Sequence, residues 1–162
     1  YNNFNGDISR WDVSNVEDMG NMFWSSVFNG NISNWNVSSV ENMQGMFAYS
    51  EFNRDISKWN VSSVTNMQAM FNSSKFNGDL SKWNVGKVEN TKYMFAMSDF
   101  NGQSGNLNKW NVSSVNNMEG MFFKSNFNRD ISNWNIISVK NFDNIFKDCP
   151  IKEEYKPKFK KQ

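Results

Sequence analysis

The apolar positions of this chain repeat with a period of about 24 residues. A Phe-Asn pair opens each repeat, with steps of 24 residues four times and then one of 27. A unit this short cannot bury its own apolar face, so the period predicts units that stack on one another. The pairs begin at Phe4, Phe28, Phe52, Phe76, Phe100 and Phe127.

We divide the chain accordingly into one array, 1–150, and a basic C-terminal cap or tail, 151–162. The array contains six units, 4–27, 28–51, 52–75, 76–99, 100–126 and 127–150. The chain begins inside a repeat and without Met, so we expect a fragment whose export signal and upstream copies lie outside it. At the end of the array we expect residues 147–159 to fold back as a cap over the open apolar end, partly through Ile151, Tyr155 and Phe159.

Two different spacings follow each other within a unit. In the third unit, Trp59 and Val61 alternate with polar residues, as in a short strand with one buried face. Val64, Met67 and Phe71 then follow a three- and four-residue spacing, which is typical of one stripe of a two-turn helix. The spacing therefore predicts a strand, a tight link, a short helix and a turn in every unit.

A serine precedes a glutamate by three residues at the start of this predicted helix, at Ser14 and Glu17 and again at Ser38 and Glu41. This spacing is that of a capping box. The order apolar-x-x-apolar-x-apolar at Ile56, Trp59 and Val61 resembles a leucine-rich repeat, so the predicted fold class is an α/β repeat solenoid that is leucine-rich-repeat-like. It has six coils, each with a short parallel strand and a short helix, and a C-terminal cap.

The motif N-V-S-S-V-x-x-M-x-x-M-F, at 36–47, 60–71 and 111–122, resembles a known family. It is similar to the repeats of BspA-type bacterial leucine-rich-repeat surface proteins and to the 24-residue repeats of mycoplasma lipoproteins. The resemblance covers about residues 4–150. It implies a bacterial cell-surface or secreted module for adhesion or partner binding, with a host surface protein as a possible partner, and it implies no catalytic residue.

One tryptophan stands at the same place in each unit. Because Trp59 shares its parity with Val61, we favour rings that point inward and stack as a core column. Rings that point outward would instead form a platform for sugars. The column contains Trp11, Trp35, Trp59, Trp83, Trp110 and Trp134.

If the tryptophans face inward, Lys58 and Asn60 face outward on the predicted strand, and we expect this face to bind the partner. An acidic or sugar-bearing partner would suit it. Alternatively, the Asn side chains hold the stack together as a ladder and the cations serve solubility. The two columns are Arg10, Asn34, Lys58, Lys82, Lys109, Asn133 and Asp12, Asn36, Asn60, Asn84, Asn111, Asn135.

Other repeated or irregular positions invite a choice between function and folding. An acid or amide recurs after each Phe-Asn turn, as at Asp55, and we favour turn capping over calcium binding because one carboxylate per unit supplies few ligands. Cys149 replaces a serine, and we favour a buried, inert thiol. Trp24, Met97 and Phe123 break the repeat and are interpreted as drift rather than a site.

The composition argues against catalysis. The chain has 17 Lys and Arg against 16 Asp and Glu, one Cys and no His. We find no assembled nucleophile, metal cluster or phosphate loop, so we expect no enzyme, cofactor or metal. Near-neutral charge disfavours nucleic acid, and no apolar run is long enough to span a bilayer. The sequence predicts a non-catalytic extracellular module for protein binding or adhesion, with glycan binding as the alternative.

Overall fold

Corresponding residues of successive units lie beside one another. The computed structural model describes residues 2–160, so Tyr1, Lys161 and Gln162 lie outside it. Each unit is called a coil below, and the coils are numbered one to six in chain order. Isolated parallel bridges join the coils at Asp18, Asn42, Asn66, Asn90, Asn117 and Asn141.

The predicted strands and helices are not formed in the described part of the chain. The one helix there is a 3-10 helix at Glu153–Tyr155, and the bridges between coils are single residues rather than strands. The prediction of an α/β, leucine-rich-repeat-like fold with a strand and a helix in each coil is therefore wrong. Each coil consists of β-turns joined by short extended segments.

Two β-turns replace the predicted strand. In coil three, Trp59 N–H donates to Ile56 O at 3.1 Å, and Val64 N–H donates to Val61 O at 3.0 Å. Only Trp59 to Val61 remain extended between these turns, which is too short for a hydrogen-bonded ladder. The alternation of Trp59 and Val61 with polar residues therefore indicates that one side of a three-residue segment is buried, and it does not indicate a strand.

A run of six turn residues, 68–73 in coil three, replaces the predicted helix. Ala69 N–H donates to Lys92 O of the next coil at 2.8 Å, and Phe71 N–H donates to Met94 O at 2.9 Å. Met70 N–H, which lies between these two amides, closes a turn on Met67 O at 3.2 Å. An α-helix would use these amides internally, whereas here alternate amides bind the neighbouring coil.

Left-handed backbone conformations also exclude an α-helix in this run. Its second and sixth residues have φ between 52° and 60° in every coil, whereas an α-helix requires negative φ. The second positions are Asn21, Gly45, Ala69, Tyr93, Gly120 and Asn144, and the sixth are Ser25, Tyr49, Ser73, Met97, Lys124 and Asp148.

The tryptophan column points inward, as predicted, in coils two to six. The five rings there are 3–5 % exposed, and each indole N–H donates to an Ile or Leu carbonyl of the preceding coil at 2.8–3.1 Å. Trp11 of coil one is covered on one side only, by Trp35, and is 55 % exposed. The rest of the core is formed by the stacked Phe, Val and Met columns.

The three additional residues of coil five, 103–105, leave the tryptophan column and the bridge to the preceding coil in place. Trp110 still donates to Leu80 O at 2.9 Å, and the bridge between Asn90 and Asn117 is kept. The insertion is accommodated at the exposed turn, where Ser104 Oγ–H donates to Asn77 O of the preceding coil.

The described part of the C-terminal segment, 151–160, packs over coil six. Ile131 N–H donates to Tyr155 O at 3.0 Å, and the Phe159 ring stacks on Phe142 with centroids 4.5 Å apart. Ile151 is 6 % exposed. These contacts shield the apolar side of the last coil.

Candidate binding faces

The twelve residues predicted to bind a partner are all exposed and are called the candidate face below. They do not lie on a strand. The first column occupies the third residue of a β-turn, as Lys58 does in the turn from Ile56 to Trp59. The second column, with Asn60, lies one residue beyond the buried Trp59. Because the coils are in register, each column continues from coil to coil.

The Asn column of the candidate face makes local bonds rather than a ladder along the stack. Asn60 Oδ1 accepts Ser62 N–H at 3.1 Å and Ser62 Oγ–H at 2.7 Å. The residues at this place in the other coils accept the N–H two residues further on in the same way. Asn or Asp at this place is therefore explained by an Asx-turn.

The cationic column is flanked by acids. Asp55 lies three residues before Lys58, and its pKa is held below the usual range by hydrogen bonds from the Ser57 side chain and backbone, with a smaller effect of Lys58. Asp7 and Arg10 repeat the arrangement, with the Ser9 backbone N–H as the main cause of the lowered pKa. In coils one, three and four an acid therefore lies three residues before the cation of the candidate face, whereas Lys109 of coil five has Asn106 at that place.

An asparagine ladder does run along the stack, at a column that the sequence analysis did not single out. In coils one to four, the Asn after the opening Phe accepts the backbone N–H of its counterpart in the next coil: Asn29 N–H donates to Asn5 Oδ1 at 3.0 Å, and Asn53 N–H to Asn29 Oδ1 at 2.9 Å. The ladder ends at Asn101, whose Oδ1 accepts Gln103 N–H of the insertion. The Asn that follows the opening Phe in every repeat is the sequence signal from which this ladder could have been predicted.

The acidic column after the turn makes the local bonds expected of turn capping. Asp55 Oδ1 accepts Ser57 N–H at 2.9 Å, and Asn31, which replaces Asp in coil two, accepts Ser33 N–H at 3.0 Å. Within residues 2–160, no group of three or more potential acidic, Cys or His ligands comes together.

Cys149 is half-buried. Its thiol donates to Phe127 O at 3.2 Å and lies 3.7 Å from Ser125 Oγ. It thus occupies the place of the serines of the other coils. The sequence predicts a buried thiol, whereas the thiol observed is only half-buried.

The exposed side chains of the six-residue turn runs form a second surface, which we call the variable face; other side chains of these runs, such as Met46 and Phe47, are buried in the core. The runs are 20–25, 44–49, 68–73, 92–97, 119–124 and 143–148. Trp24 and Tyr49 are each 53 % exposed on it and Met97 is 46 % exposed, while Phe123 is half-buried. The sequence analysis had interpreted Trp24, Met97 and Phe123 as drift and had not considered Tyr49.

The side chains of the variable face contact one another across coils. The Trp24 and Tyr49 rings meet edge to face, with centroids 6.1 Å apart. Glu119 Oε2 forms an ion pair with Lys92 Nζ at 2.8 Å, and Glu119 Oε1 accepts a hydrogen bond from Tyr93 Oη–H at 3.0 Å. The Lys92 bond is the main cause that lowers the pKa of Glu119, and Tyr93 adds to it.

The comparisons with known proteins place the repeat in a family. The family model described as "Mycoplasma protein of unknown function, DUF285" matches residues 1–105 and again residues 97–155. Neither the curated proteins nor the solved structures gave a match. Within residues 2–160, no helix has the length and apolar character needed to cross a bilayer.

Proposed function

The chain belongs to the DUF285 family of mycoplasma proteins, and we propose that it is a non-catalytic extracellular module that binds a protein partner. The proposal includes adhesion, in which the partner is a surface protein of a host cell. The likeness of its repeats to BspA-type surface proteins supports a location on the cell surface or in the medium.

The observation that carries this proposal is the in-register display of exposed side chains on six stacked coils. At about 4.8 Å per coil, the side chains of the candidate face extend over about 25 Å, from Arg10 to Asn133. A surface of this length can meet many side chains of a partner at once, and a partner patch in a standard interface buries about 800 Å². Such a surface favours binding over chemistry at one point.

Glycan binding is the second candidate. It is favoured by the exposed rings of Trp24 and Tyr49, whose turn runs also contain the neutral amides Asn21 and Gln44. Aromatic faces attract the weakly positive C–H groups of a pyranose, and amides can bond to its hydroxyls.

Two arrays test the proposal. The intact chain is applied to an array of purified extracellular and cell-surface proteins, and in parallel to a glycan array. We expect saturable binding to a small set of proteins that persists after enzymatic deglycosylation of those proteins. Binding that disappears on deglycosylation, with matching signals on the glycan array, supports the second candidate. The absence of saturable binding on both arrays contradicts both the protein-binding and the glycan-binding function.

The candidate face is tested with the triple substitution Lys58→Asn, Lys82→Asn and Lys109→Asn. Asn stands at this position in coils two and six, so the fold is expected to tolerate the change. If the candidate face contributes, the affinity for an array partner falls and its dependence on salt concentration weakens. Unchanged affinity and salt dependence would move the binding site to another face.

A further inference from the structure

The variable face differs from coil to coil although its backbone does not. The sixth residue of the turn run has the same left-handed conformation in all coils but five different side chains. By contrast, the Asn column of the candidate face is almost uniform, and an Asx-turn explains it. The variable column is Ser25, Tyr49, Ser73, Met97, Lys124 and Asp148.

The fold itself would favour glycine in this column. A side chain at positive φ costs about 1–2 kcal/mol per residue, and only glycine avoids the cost. Nevertheless, none of the six residues is glycine, and Tyr49 and Met97 place large, exposed apolar groups there. Strained residues with exposed side chains point to a role outside the fold.

In the turn runs, alternate backbone N–H groups already donate to carbonyl groups of the next coil. Tyr49 N–H donates to Asn72 O at 2.8 Å and Met97 N–H to Phe123 O at 2.7 Å, in both cases across to the next coil. A partner therefore cannot add a strand along this part of the coils, as it would at an open sheet edge. Recognition on this face must use the side chains.

The charges of the variable face cancel. Its runs in coils one to three contain no charged residue, and those in coils four to six contain three Lys and three acids. Lys92 and Glu119 are moreover paired at 2.8 Å. A highly charged partner would gain little here, whereas aromatic and Met side chains are enriched at the centres of protein interfaces.

We infer that the variable face is the surface on which this module discriminates its protein partner. It would do so by seating apolar side chains of a weakly charged partner segment against Trp24, Tyr49 and Met97. These three side chains lie in coils one, two and four, a distance of about 15 Å along the stack. The inference rests on the proposed protein-binding function and assigns specificity to this face rather than to the candidate face.

The probe is a library of random 12-residue peptides displayed on phage, selected on the intact chain. We expect the selected peptides to be rich in apolar and aromatic residues and poor in charge. The test variant is Tyr49→Ser with Met97→Ser, because Ser25 and Ser73 already occupy this column. The control is Lys87→Ser with Lys140→Thr, two exposed cations that belong to neither face and whose places in coil three hold Ser63 and Thr65. Thermal unfolding confirms that both variants are folded.

The selected peptides should bind the serine variant at least tenfold more weakly and the control variant with unchanged Kd. If the peptides lose affinity for the control variant only, the inference is overturned while the protein-binding function stands. Failure to select any peptide also overturns it, and the protein array then judges the proposed function separately. Binding of neutral glycans that is lost in the serine variant would assign the face to sugars and overturn it as well.

Discussion

Asparagine and aspartate side chains fix the corners of each coil by accepting backbone N–H groups. Asn60 and Asp55 act within their own coil, whereas Asn29 and Asn53 join neighbouring coils. One residue type therefore has two structural roles at different places in the repeat. This explains why the chain is rich in Asn without a ligand at each of these residues.

Asp55→Asn tests the electrostatic part of this role. The pKa of Asp55 in the folded state lies below its ordinary value of 3.8 because hydrogen bonds from Ser57 favour the carboxylate. The carboxylate therefore stabilises the fold above that pH, and the stabilisation is lost as the pH falls through the folded pKa. Asn keeps the Ser57 N–H bond, as Asn31 does with Ser33, but does not titrate.

We accordingly expect wild type to be more stable than Asp55→Asn at pH 7, and expect this advantage to shrink progressively as the pH falls below 3.8. Denaturant unfolding at a series of pH values measures the difference. A difference that stays constant over the whole range would show that the charge has no role.

Trp59→Phe tests the contribution of one indole to the stack. The change removes the 3.1 Å bond to Ile32 O, so that this carbonyl keeps only its turn bond from Trp35 N–H, and it reduces the volume of a fully packed ring. We expect a loss of about 2–4 kcal/mol in the free energy of unfolding. Trp11→Phe is the matched control, and because Trp11 is 55 % exposed, its cost should stay below about 1 kcal/mol. Equal costs would argue against the buried column.

The turn run is the element that most distinguishes this fold from the predicted one. Val64, Met67 and Met70 are three residues apart, a spacing that successive β-turns share with one stripe of a helix. Turns form instead of a helix because their alternate N–H groups can donate to carbonyl groups of the next coil. A usable signal was present, since Asn21, Gly45, Gly120 and Asn144 occupy the second position of the run, where a left-handed conformation favours Asn and Gly.

The inward tryptophan column, by contrast, could be predicted, because the parity of Trp59 and Val61 depends only on burial. The strand around them could not, since two turns interrupt it after three residues. For the variable face, the sequence showed that Trp24 and Met97 break the repeat. It could not show that Met97 and Tyr49 share one exposed, left-handed column.

Ala69→Gly tests the left-handed backbone of the turn run. Ala69 has φ of 53°, and glycine removes that strain at the cost of a more flexible unfolded chain. We expect a net gain of about 0.5–1 kcal/mol in stability. Ala96→Gly is the control: Ala96 is buried and is not among the left-handed residues, so it should lose about 1 kcal/mol. A loss at both positions would contradict the assigned turn geometry.

At the scale of the whole molecule, each coil depends on its neighbours for cover. Segment 151–160 covers coil six through Tyr155 and Phe159, whereas the outer side of coil one exposes Phe4 and Trp11. A depression of about 700 Å³ lies at that end, lined in part by Trp11 and Met22. Stability is therefore expected to be highest in the central coils and lowest at the two ends.

Deletion of 151–162 tests the covering of coil six. The deletion exposes Phe142 and Phe146, whose rings pack against Phe159 in the intact chain. We expect the melting temperature to fall by about 5–10 °C, as for a loss of a few kcal/mol in a domain of this size. Light scattering should also show association of the shortened chain. An unchanged melting temperature with a monomeric chain would contradict a covering role.

The central claim is that bonds between coils, rather than strands and helices within them, hold this molecule together. Hydrogen exchange of the seven indole N–H groups, followed by NMR, tests it most directly. Five of them, those of Trp35, Trp59, Trp83, Trp110 and Trp134, bond to the preceding coil. The account predicts slow exchange for these five and fast exchange for the exposed Trp11 and Trp24; uniformly fast exchange of all seven would contradict it.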